Sequence, residues 1–183
     1  MLLFSILVIA LITGLIRGGK LTNIISLRFQ HPWLIFSSIV VELGILFLMR
    51  ASIISSQTIV FYAILVQYLL LFLFFWFNKK LSYIWVIASG CFLNFVVIIL
   101  NHGSMPLTKM VLQIAASSKA LLLLMEGRYL TYHIINSNTN LWFLGDIIYI
   151  PTPFKGFISI GDILLFSGVF LLMQKIIANK ENS

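Results

Sequence analysis

Two aspartates, each directly after a glycine, are the residues of this chain best suited to carry chemistry. Asp146 follows Gly145 and Asp162 follows Gly161, in a chain with only 5 Asp and Glu among its 183 residues. Two carboxyls that lie close together cannot both ionise, so one can take a proton from water while the other donates one to a leaving group. Such a pair could also hold a divalent cation or a cationic headgroup. Asp146 and Asp162 are therefore the candidate catalytic residues, and their chemistry would be that of an aspartate-dependent membrane hydrolase.

The same two aspartates also have a structural interpretation. Ser159-x-x-Asp162 has the spacing of a capping box, in which a serine begins a helix and an acidic side chain three residues later bonds back to it. A carboxylate there also lies near the positive end of the helix dipole. Gly145-Asp146 is by itself a common turn signal. From the sequence alone, both interpretations stay open.

A polar run, Asn101-His102-Gly103-Ser104-Met105-Pro106, follows an apolar segment. We expect it on the same side of the membrane as the aspartates, and we predict that Asn101, His102 and Met105 contact a substrate. Polar residues that end a helix before a proline are the structural alternative. His102 and His133 could join the aspartates around a metal ion, but no single-helix HxxxH or HxxE spacing exists. We predict no metal and no cofactor.

Three further polar residues interrupt apolar segments. Glu42 lies near the middle of one segment, and Gln67 and Asn94 lie in the next two. An acidic side chain at membrane depth usually faces the interior of the helix bundle and has a partner there. Glu42 could therefore belong to a proton or ion relay, or it could be a protonated, hydrogen-bonded group that holds the bundle together.

The composition predicts that these groups are positioned by membrane-spanning helices. The chain is 61% hydrophobic and 9% charged, with a mean hydropathy of +1.08, whereas soluble domains are about 25% charged. We predict an all-α integral membrane bundle that forms one domain over residues 1–183. The amphipathic pattern of 107–125, which contains Lys119, predicts an interfacial or re-entrant helix. The apolar segments predict five transmembrane helices, at about 2–16, 33–49, 58–77, 81–100 and 160–177.

The charge pattern predicts an orientation. The net charge of +7 fits contact with anionic lipid, because basic residues flank membrane spans on the cytoplasmic side. The bilayer is therefore the expected partner, and nucleic acid is not. With five spans, the loops 17–32 and 78–80 and the C-terminal tail share one side and carry 7 Lys and Arg. This places the N-terminus outside, the C-terminus inside and both aspartates outside. If 107–125 crosses as a sixth span, the aspartates lie inside.

Several short motifs recur in order along nearly the whole chain. They are Arg17-Gly18-Gly19-Lys20-Leu21, Asn78-Lys79-Lys80-Leu81, Asn94, the run Asn101–Pro106, Leu144-Gly145-Asp146 and Ser159-Ile160-Gly161-Asp162. In these motifs the chain resembles a family of small bacterial integral membrane proteins of unknown function. The resemblance implies a multi-span fold in the bacterial cytoplasmic (inner) membrane. His102 stands where that family often has glycine.

The order and placement of the two aspartates are also distantly similar to those of lipoprotein signal peptidases. Those enzymes are small helical membrane proteins with two catalytic aspartates near the outer surface. The departures are large, however. Their Gly-Asn-x-x-Asp-Arg motif is absent, and their Phe-Asn-x-Ala-Asp is replaced by Ile158-Ser159-Ile160-Gly161-Asp162. No catalytic role is transferred from this similarity.

Three hypotheses of function follow from these observations. The first is a membrane protein with a polar site outside the cytoplasm, around Asn101, Asp146 and Asp162, that acts on a lipid-linked or membrane-embedded substrate. The second is a non-enzymatic scaffold or complex subunit with a membrane protein partner, in which the same residues only cap and pack. The third is a small transporter centred on Glu42.

Overall fold

The computed structural model describes residues 2–25, 28–114, 119–152 and 156–178. The described part is mostly helical, with four short strands between the fifth and the last helix. The helices are α1 Leu2–Ile16, α2 Thr22–Ile25, α3 Trp33–Arg50, α4 Gln57–Phe77, α5 Ile84–Leu100, α6 Val111–Ile114, α7 Lys119–Met125 and α8 Ile160–Ala178. The strands are β1 Met105–Leu107, β2 Tyr132–Ile134, β3 Ile148–Ile150 and β4 Gly156–Ile158, and a 3-10 turn covers Trp142–Leu144.

Three of the described helices, α3, α4 and α8, are long and apolar enough to cross a membrane, and α1 and α5 are shorter apolar helices. All five coincide with predicted spans to within three residues at either end. Large apolar side chains cover their outward faces; on α3, Phe36, Val40 and Phe47 are each about two-thirds exposed. Lipid is a solvent in which such a surface is stable, because exposing it to water would cost free energy.

The expectation of an all-α chain is not met, because β1 pairs in parallel with β2 and β3 pairs antiparallel with β4. The segment 107–125 is also not one helix: Leu107 ends β1, and α6 and α7 are separated by residues 115–118, which lie outside the described residues. The hydrophobic periodicity of the sequence does not reveal β1, because this strand is hydrogen-bonded to a segment that is distant in the chain. One example is the bond from the Met105 N–H to the Thr131 carbonyl (2.8 Å).

The five apolar helices form two unequal groups. In the first group, α3 packs on α4. In the second group, α8 packs on both α5 and α1. The contact between α4 and α5, which joins the groups, is smaller. Glycines allow the second group to pack tightly: Gly90 of α5 lies against the backbone of Gly161 and Leu165 of α8. Small residues at helix contacts let backbones approach closely, and this stabilises helix pairs in membranes.

The connecting segments collect at the two ends of the bundle. At one end, Asn78 and Gln30 exchange two hydrogen bonds of 2.8 Å, and the Lys20 N–H bonds to the Ile177 carbonyl. At the other end lies the segment 101–159, which we call the cap. The side chain of Gln57, at the start of α4, donates to the carbonyls of His102 (2.9 Å) and Leu130 (3.2 Å) of the cap. The cap has a small core of its own, formed by Leu107, Val111 and Leu121.

Candidate functional site

A cavity of about 280 Å³ lies beneath the cap, in the cleft between the α3–α4 pair and the α5–α8 pair. Roughly 300 Å³ is the lower end of the range for ligand pockets, so the volume suits a headgroup or a small molecule. Apolar side chains of the wall come from α3, α4, α5 and the cap. The polar part of the wall consists of Glu42, Gln67, Tyr68, Asn94, Tyr129, Thr131, Tyr132, Asp146 and Asp162.

Two groups of residues that the sequence analysis treated as separate candidate sites line the same cavity. Asp146 and Asp162, the predicted catalytic pair, line it together with Glu42, Gln67 and Asn94, the predicted intramembrane polar residues. The chain has 5 Asp and Glu in all, so most of its acidic side chains meet here. No Lys, Arg or His belongs to the described residues that line the wall.

Asp162 is held by a closed set of hydrogen bonds at the start of α8. Its Oδ2 accepts from the Ser159 N–H (3.0 Å), and the Ser159 hydroxyl oxygen accepts from the Asp162 N–H (2.9 Å). These two bonds form the capping box that the spacing predicted. Asn94 of α5 completes the set: its amide donates to Asp162 Oδ1 (2.8 Å), and its carbonyl accepts from the Ser159 hydroxyl (2.7 Å). Both oxygens of Asp162 thus accept a hydrogen bond from this set.

Asp146 lies in the opposite situation. Its backbone is fixed by hydrogen bonds to Pro106 (2.8 Å) and Thr108 (3.2 Å), which attach it to the end of β1. Its side chain is only 7% exposed, and Oδ1 is buried without a hydrogen-bond partner among the described residues. Burial, and next the charge of Asp162, raise the pKa of Asp146 to about 8. At neutral pH Asp146 is therefore mostly protonated, and it is a proton donor that faces the cavity.

Glu42 and Gln67 form the wall that faces the aspartates. The Gln67 amide donates to Glu42 Oε2 at 3.2 Å, which links α3 to α4. Glu42 lines the cavity and yet is exposed, so the cavity is open on the α3 side. Glu42 precedes Arg50, the last residue of α3 on the cap side, by about two helical turns, or roughly 12 Å. The cavity therefore reaches from the cap to the depth of the middle of α3.

The cap supplies an aromatic and hydroxyl wall. Tyr129 and Tyr132 are stacked, with ring centroids 5.7 Å apart. Burial, with a smaller contribution from the charge of Asp146, raises the pKa of Tyr132, so its phenol stays neutral. The hydroxyl oxygen of Thr131 is buried and has no partner among the described residues. Two buried polar atoms without partners, Thr131 Oγ1 and Asp146 Oδ1, thus belong to one cavity wall.

The three predicted substrate-contacting residues have different surroundings. Met105 is buried and lines the cavity. Asn101 is buried outside it: its amide donates to the carbonyls of Val97 (2.7 Å) and Asn140 (2.8 Å), which anchors the cap to the end of α5. His102 is exposed with a positive φ of 55°, and it bonds through its carbonyl to Gln57. The structure brings Met105 to the aspartates and places Asn101 and His102 elsewhere.

Sequence analysis missed the cap residues Tyr129, Thr131 and Tyr132. The dense polar and aromatic run 129–133 in an otherwise apolar chain was the available signal. It also missed a hydrogen bond between Ser104 and His133 Nδ1 (2.8 Å). Burial lowers the pKa of His133, and its Nε2 lies 3.2 Å from the Thr139 hydroxyl. Among the described residues no acidic side chain orients that ring. The two contacts connect Ser104, just before β1, to β2 and to the loop that follows β2.

The wall chemistry indicates the kind of group that the cavity can accommodate. Carboxyls, an amide and phenols offer acceptors and aromatic faces, whereas side-chain cations that would bind an anion are missing from the described lining. Among the described residues, no group of three or more His, Cys, Asp or Glu side chains is arranged to hold a metal ion. The site can therefore exchange protons and bind hydrogen-bond donors or an organic cation.

Comparison with known proteins identifies the family of this chain. No curated protein and no solved structure matches the chain. A match to DUF5317, described as a family of unknown function, covers residues 26–174, which include every polar residue of the cavity wall. The expectation of a family of unknown function is thereby confirmed. The chain belongs to the DUF5317 family.

Proposed function

We propose that this protein is a membrane-integral binding protein whose cavity takes the polar head of a lipid-linked or other membrane-embedded molecule. The observation that carries this proposal is the meeting of Glu42, Asp146 and Asp162 in one partly open cavity. Polar side chains within apolar helices are costly unless they have a partner or a function. In the cap, Asp146 Oδ1 and Thr131 Oγ1 are buried without partners among the described residues, as expected for groups that meet a ligand.

The depth of the cavity supports a membrane-embedded ligand. In the proposed topology the five apolar helices all cross the bilayer, and the cap lies at its outer surface. The opening beside Glu42 is then at the level of the hydrocarbon, and a headgroup can enter sideways while its chains stay in lipid.

The hydrolase hypothesis finds less support in the geometry. A catalytic base must have a free oxygen within reach of a water or substrate. Both oxygens of Asp162 are instead engaged with Asn94 and the Ser159 N–H. Asp146 alone could serve as a proton donor. Binding therefore accounts for more of the site than hydrolysis does.

Ligand retention tests the proposal. The full chain is extracted in a mild detergent, and its bound lipid is measured by native mass spectrometry. Ile98, which lines the cavity from α5, is replaced by phenylalanine to fill the space; Leu100, 46% exposed on the same helix, receives the same change as the control. We expect wild type and Leu100→Phe to retain an amphiphile that Ile98→Phe loses. Equal retention by all three proteins would contradict the proposal.

The proposed orientation has a separate test. With Cys91 replaced by serine, single cysteines are introduced at Ser137, exposed in the cap, and at Lys79, exposed at the opposite end of the bundle. We expect a membrane-impermeant thiol reagent to label position 137 in intact cells, and position 79 only after permeabilisation. The reverse pattern would place the cap in the cytoplasm.

A further inference from the structure

We propose that the group bound in the cavity is an organic cation, an amine or quaternary ammonium carried by a membrane-embedded molecule. This inference rests on the proposed function, because it names the chemical class of the same ligand. The first observation is Asp146, which is more than nine-tenths buried and whose Oδ1 has no hydrogen-bond partner among the described residues. A buried carboxyl oxygen without a partner costs free energy, which an N–H donor of an amine or the positive charge of a quaternary ammonium would recover.

The charged groups of the cavity wall indicate whether the ligand is a cation or an anion. Asp162 accepts hydrogen bonds from Asn94 and Ser159, and neither of these partners is charged. Glu42 accepts a single hydrogen bond, from the neutral Gln67. The negative charge of the wall is thus not balanced by any side-chain cation of the described lining. A bound cation balances it, and a bound anion would increase the repulsion.

The size and the remaining wall favour an organic cation over a metal ion. A volume of about 280 Å³ equals that of roughly nine water molecules at about 30 Å³ each. A bare ion would be surrounded by several oxygens at about 2.0–2.6 Å. Among the described residues, no group of three or more His, Cys, Asp or Glu side chains is arranged to hold a metal ion. Methyl or methylene groups would instead contact Ile64, Ile98 and Met105, and the stacked Tyr129 and Tyr132 offer aromatic faces to a cation.

Binding of a cation would be coupled to loss of a proton. Asp146 is mostly protonated at neutral pH in the empty cavity, because burial and the Asp162 charge raise its pKa to about 8. A cation interacts more strongly with the ionised carboxylate, so it displaces the proton. The other titratable groups of the wall that faces Asp146 are Asp162 of α8, Glu42 of α3, Tyr68 of α4, and Tyr129 and Tyr132 of the cap; Lys109, beside Thr108, is exposed.

Calorimetric titration of the purified full chain in a non-ionic detergent tests the inference. The probes are hexyltrimethylammonium, hexyl sulfate with the same chain and opposite charge, and tetramethylammonium without the chain. We expect hexyltrimethylammonium to bind at least tenfold more tightly than either of the others. Equal binding of hexyl sulfate would overturn the cation inference and leave the proposed function standing. Equal binding of tetramethylammonium would support the cation but point to a free amine instead of a lipid. No binding of either cation would overturn the inference.

Three variants assign the binding to this cavity. Glu42→Gln and Asp146→Asn remove the charge of a wall residue, and we expect each to weaken hexyltrimethylammonium binding at least tenfold. The matched control is Glu126→Gln: Glu126 is an exposed cap residue paired with Arg128 at 3.6 Å, outside the cavity, and its loss should leave affinity unchanged. Because Glu42 is exposed, Glu42→Gln is expected to fold normally. Equal affinity of all four proteins would contradict the assignment.

The proton coupling gives an independent measurement. The quaternary probe does not titrate, so a pH effect on its affinity reports the protein. With a pKa of about 8 for Asp146, raising the pH from about 6.5 to 9 increases the ionised fraction, and hence the affinity, about thirtyfold. We expect this rise in wild type and a flat profile in Asp146→Asn. A flat profile in wild type would overturn the coupling.

Discussion

The two Gly-Asp turns of this protein have the same local sequence and opposite surroundings. Asp162 lies in the first turn of α8, where the Ser159 N–H and the Asn94 amide donate to its two oxygens. Asp146 follows a 3-10 turn and lies beside β1, where its backbone is hydrogen-bonded but its Oδ1 has no partner among the described residues. A helix N-terminus supplies free N–H donors to a nearby carboxylate, whereas the backbone around Asp146 uses its donors within the cap. One aspartate therefore stabilises the fold, and the other is left for a ligand.

The same contrast holds for the two walls of the cavity. The α5–α8 wall is packed through glycines and fixed by the bonds among Asn94, Ser159 and Asp162. The opposite wall has one long hydrogen bond, from Gln67 to Glu42, and is open beside Glu42. A rigid wall facing a weakly bonded one is an arrangement that can admit a ligand without disrupting the fold.

The largest expected effect on stability comes from adding a side chain at Gly161, where α5 and α8 are in close contact. A Cβ at Gly161 would overlap the side-chain carbonyl of Asn94 and approach the Gly90 backbone oxygen to 2.7 Å. We expect Gly161→Ala to lower the free energy of unfolding by about 1–3 kcal/mol, the usual cost of overpacking, measured by thermal unfolding in detergent. Gly44→Ala is the control, because nothing lies within 4 Å of a Cβ there. Equal stability of the two variants would mean that the α5–α8 contact is not tight.

Removing the carboxylate of the capping box should have the next largest effect. Asp162→Ala leaves the Ser159 N–H and the Asn94 amide without their partner, and we expect a loss of about 1–3 kcal/mol. Asp146→Asn, which keeps the shape of a side chain that has no partner on Oδ1, should not lower stability at pH 8. Unfolding of both variants under the same conditions makes the comparison. A greater loss for Asp146→Asn would reverse the roles assigned to the two aspartates.

The pH dependence of stability sharpens the comparison without disrupting any packing. In the folded protein the carboxyl of Asp146 has a pKa of about 8, against an ordinary value of 3.8 for an aspartate. Between these pH values the folded protein holds a proton that the unfolded chain has lost, so this group makes stability fall as pH rises and contributes no further slope above about 8. We expect the Asp146→Asn variant to gain stability relative to wild type across this window. A difference that stays constant with pH would contradict the burial of an ionisable Asp146.

The smallest effect on stability is expected at the open wall. Glu42→Gln keeps a hydrogen-bonding partner for Gln67, and an interhelical bond of this kind is worth only about 0.6 kcal/mol on average in membranes. We expect a change of less than about 1 kcal/mol in thermal unfolding, together with loss of hexyltrimethylammonium binding. Destabilisation as large as that of Asp162→Ala would show that Glu42 holds the bundle together.

Features that depend on neighbouring residues in the chain could be predicted from the sequence. The apolar helices lie where hydropathy places them, since each is a mostly apolar run whose backbone bonds are internal. The capping box could be predicted from the spacing of Ser159 and Asp162, because both residues lie in one helical turn. The amphipathic pattern of 107–125 wrongly predicted one helix, since β1 and β2 form through contacts between distant segments.

Only the tertiary structure decided which polar residues meet. Glu42, Gln67, Asn94 and Asp162 lie on four different helices, and hydropathy contains no information on how helices pair or rotate about their axes. The glycines of α5 and α8 decide that pairing through contacts of backbone with backbone. Burial of Asp146 likewise depends on the cap folding over the bundle. Composition therefore predicts a membrane bundle, and packing makes a single cavity from acidic residues that are far apart in the chain.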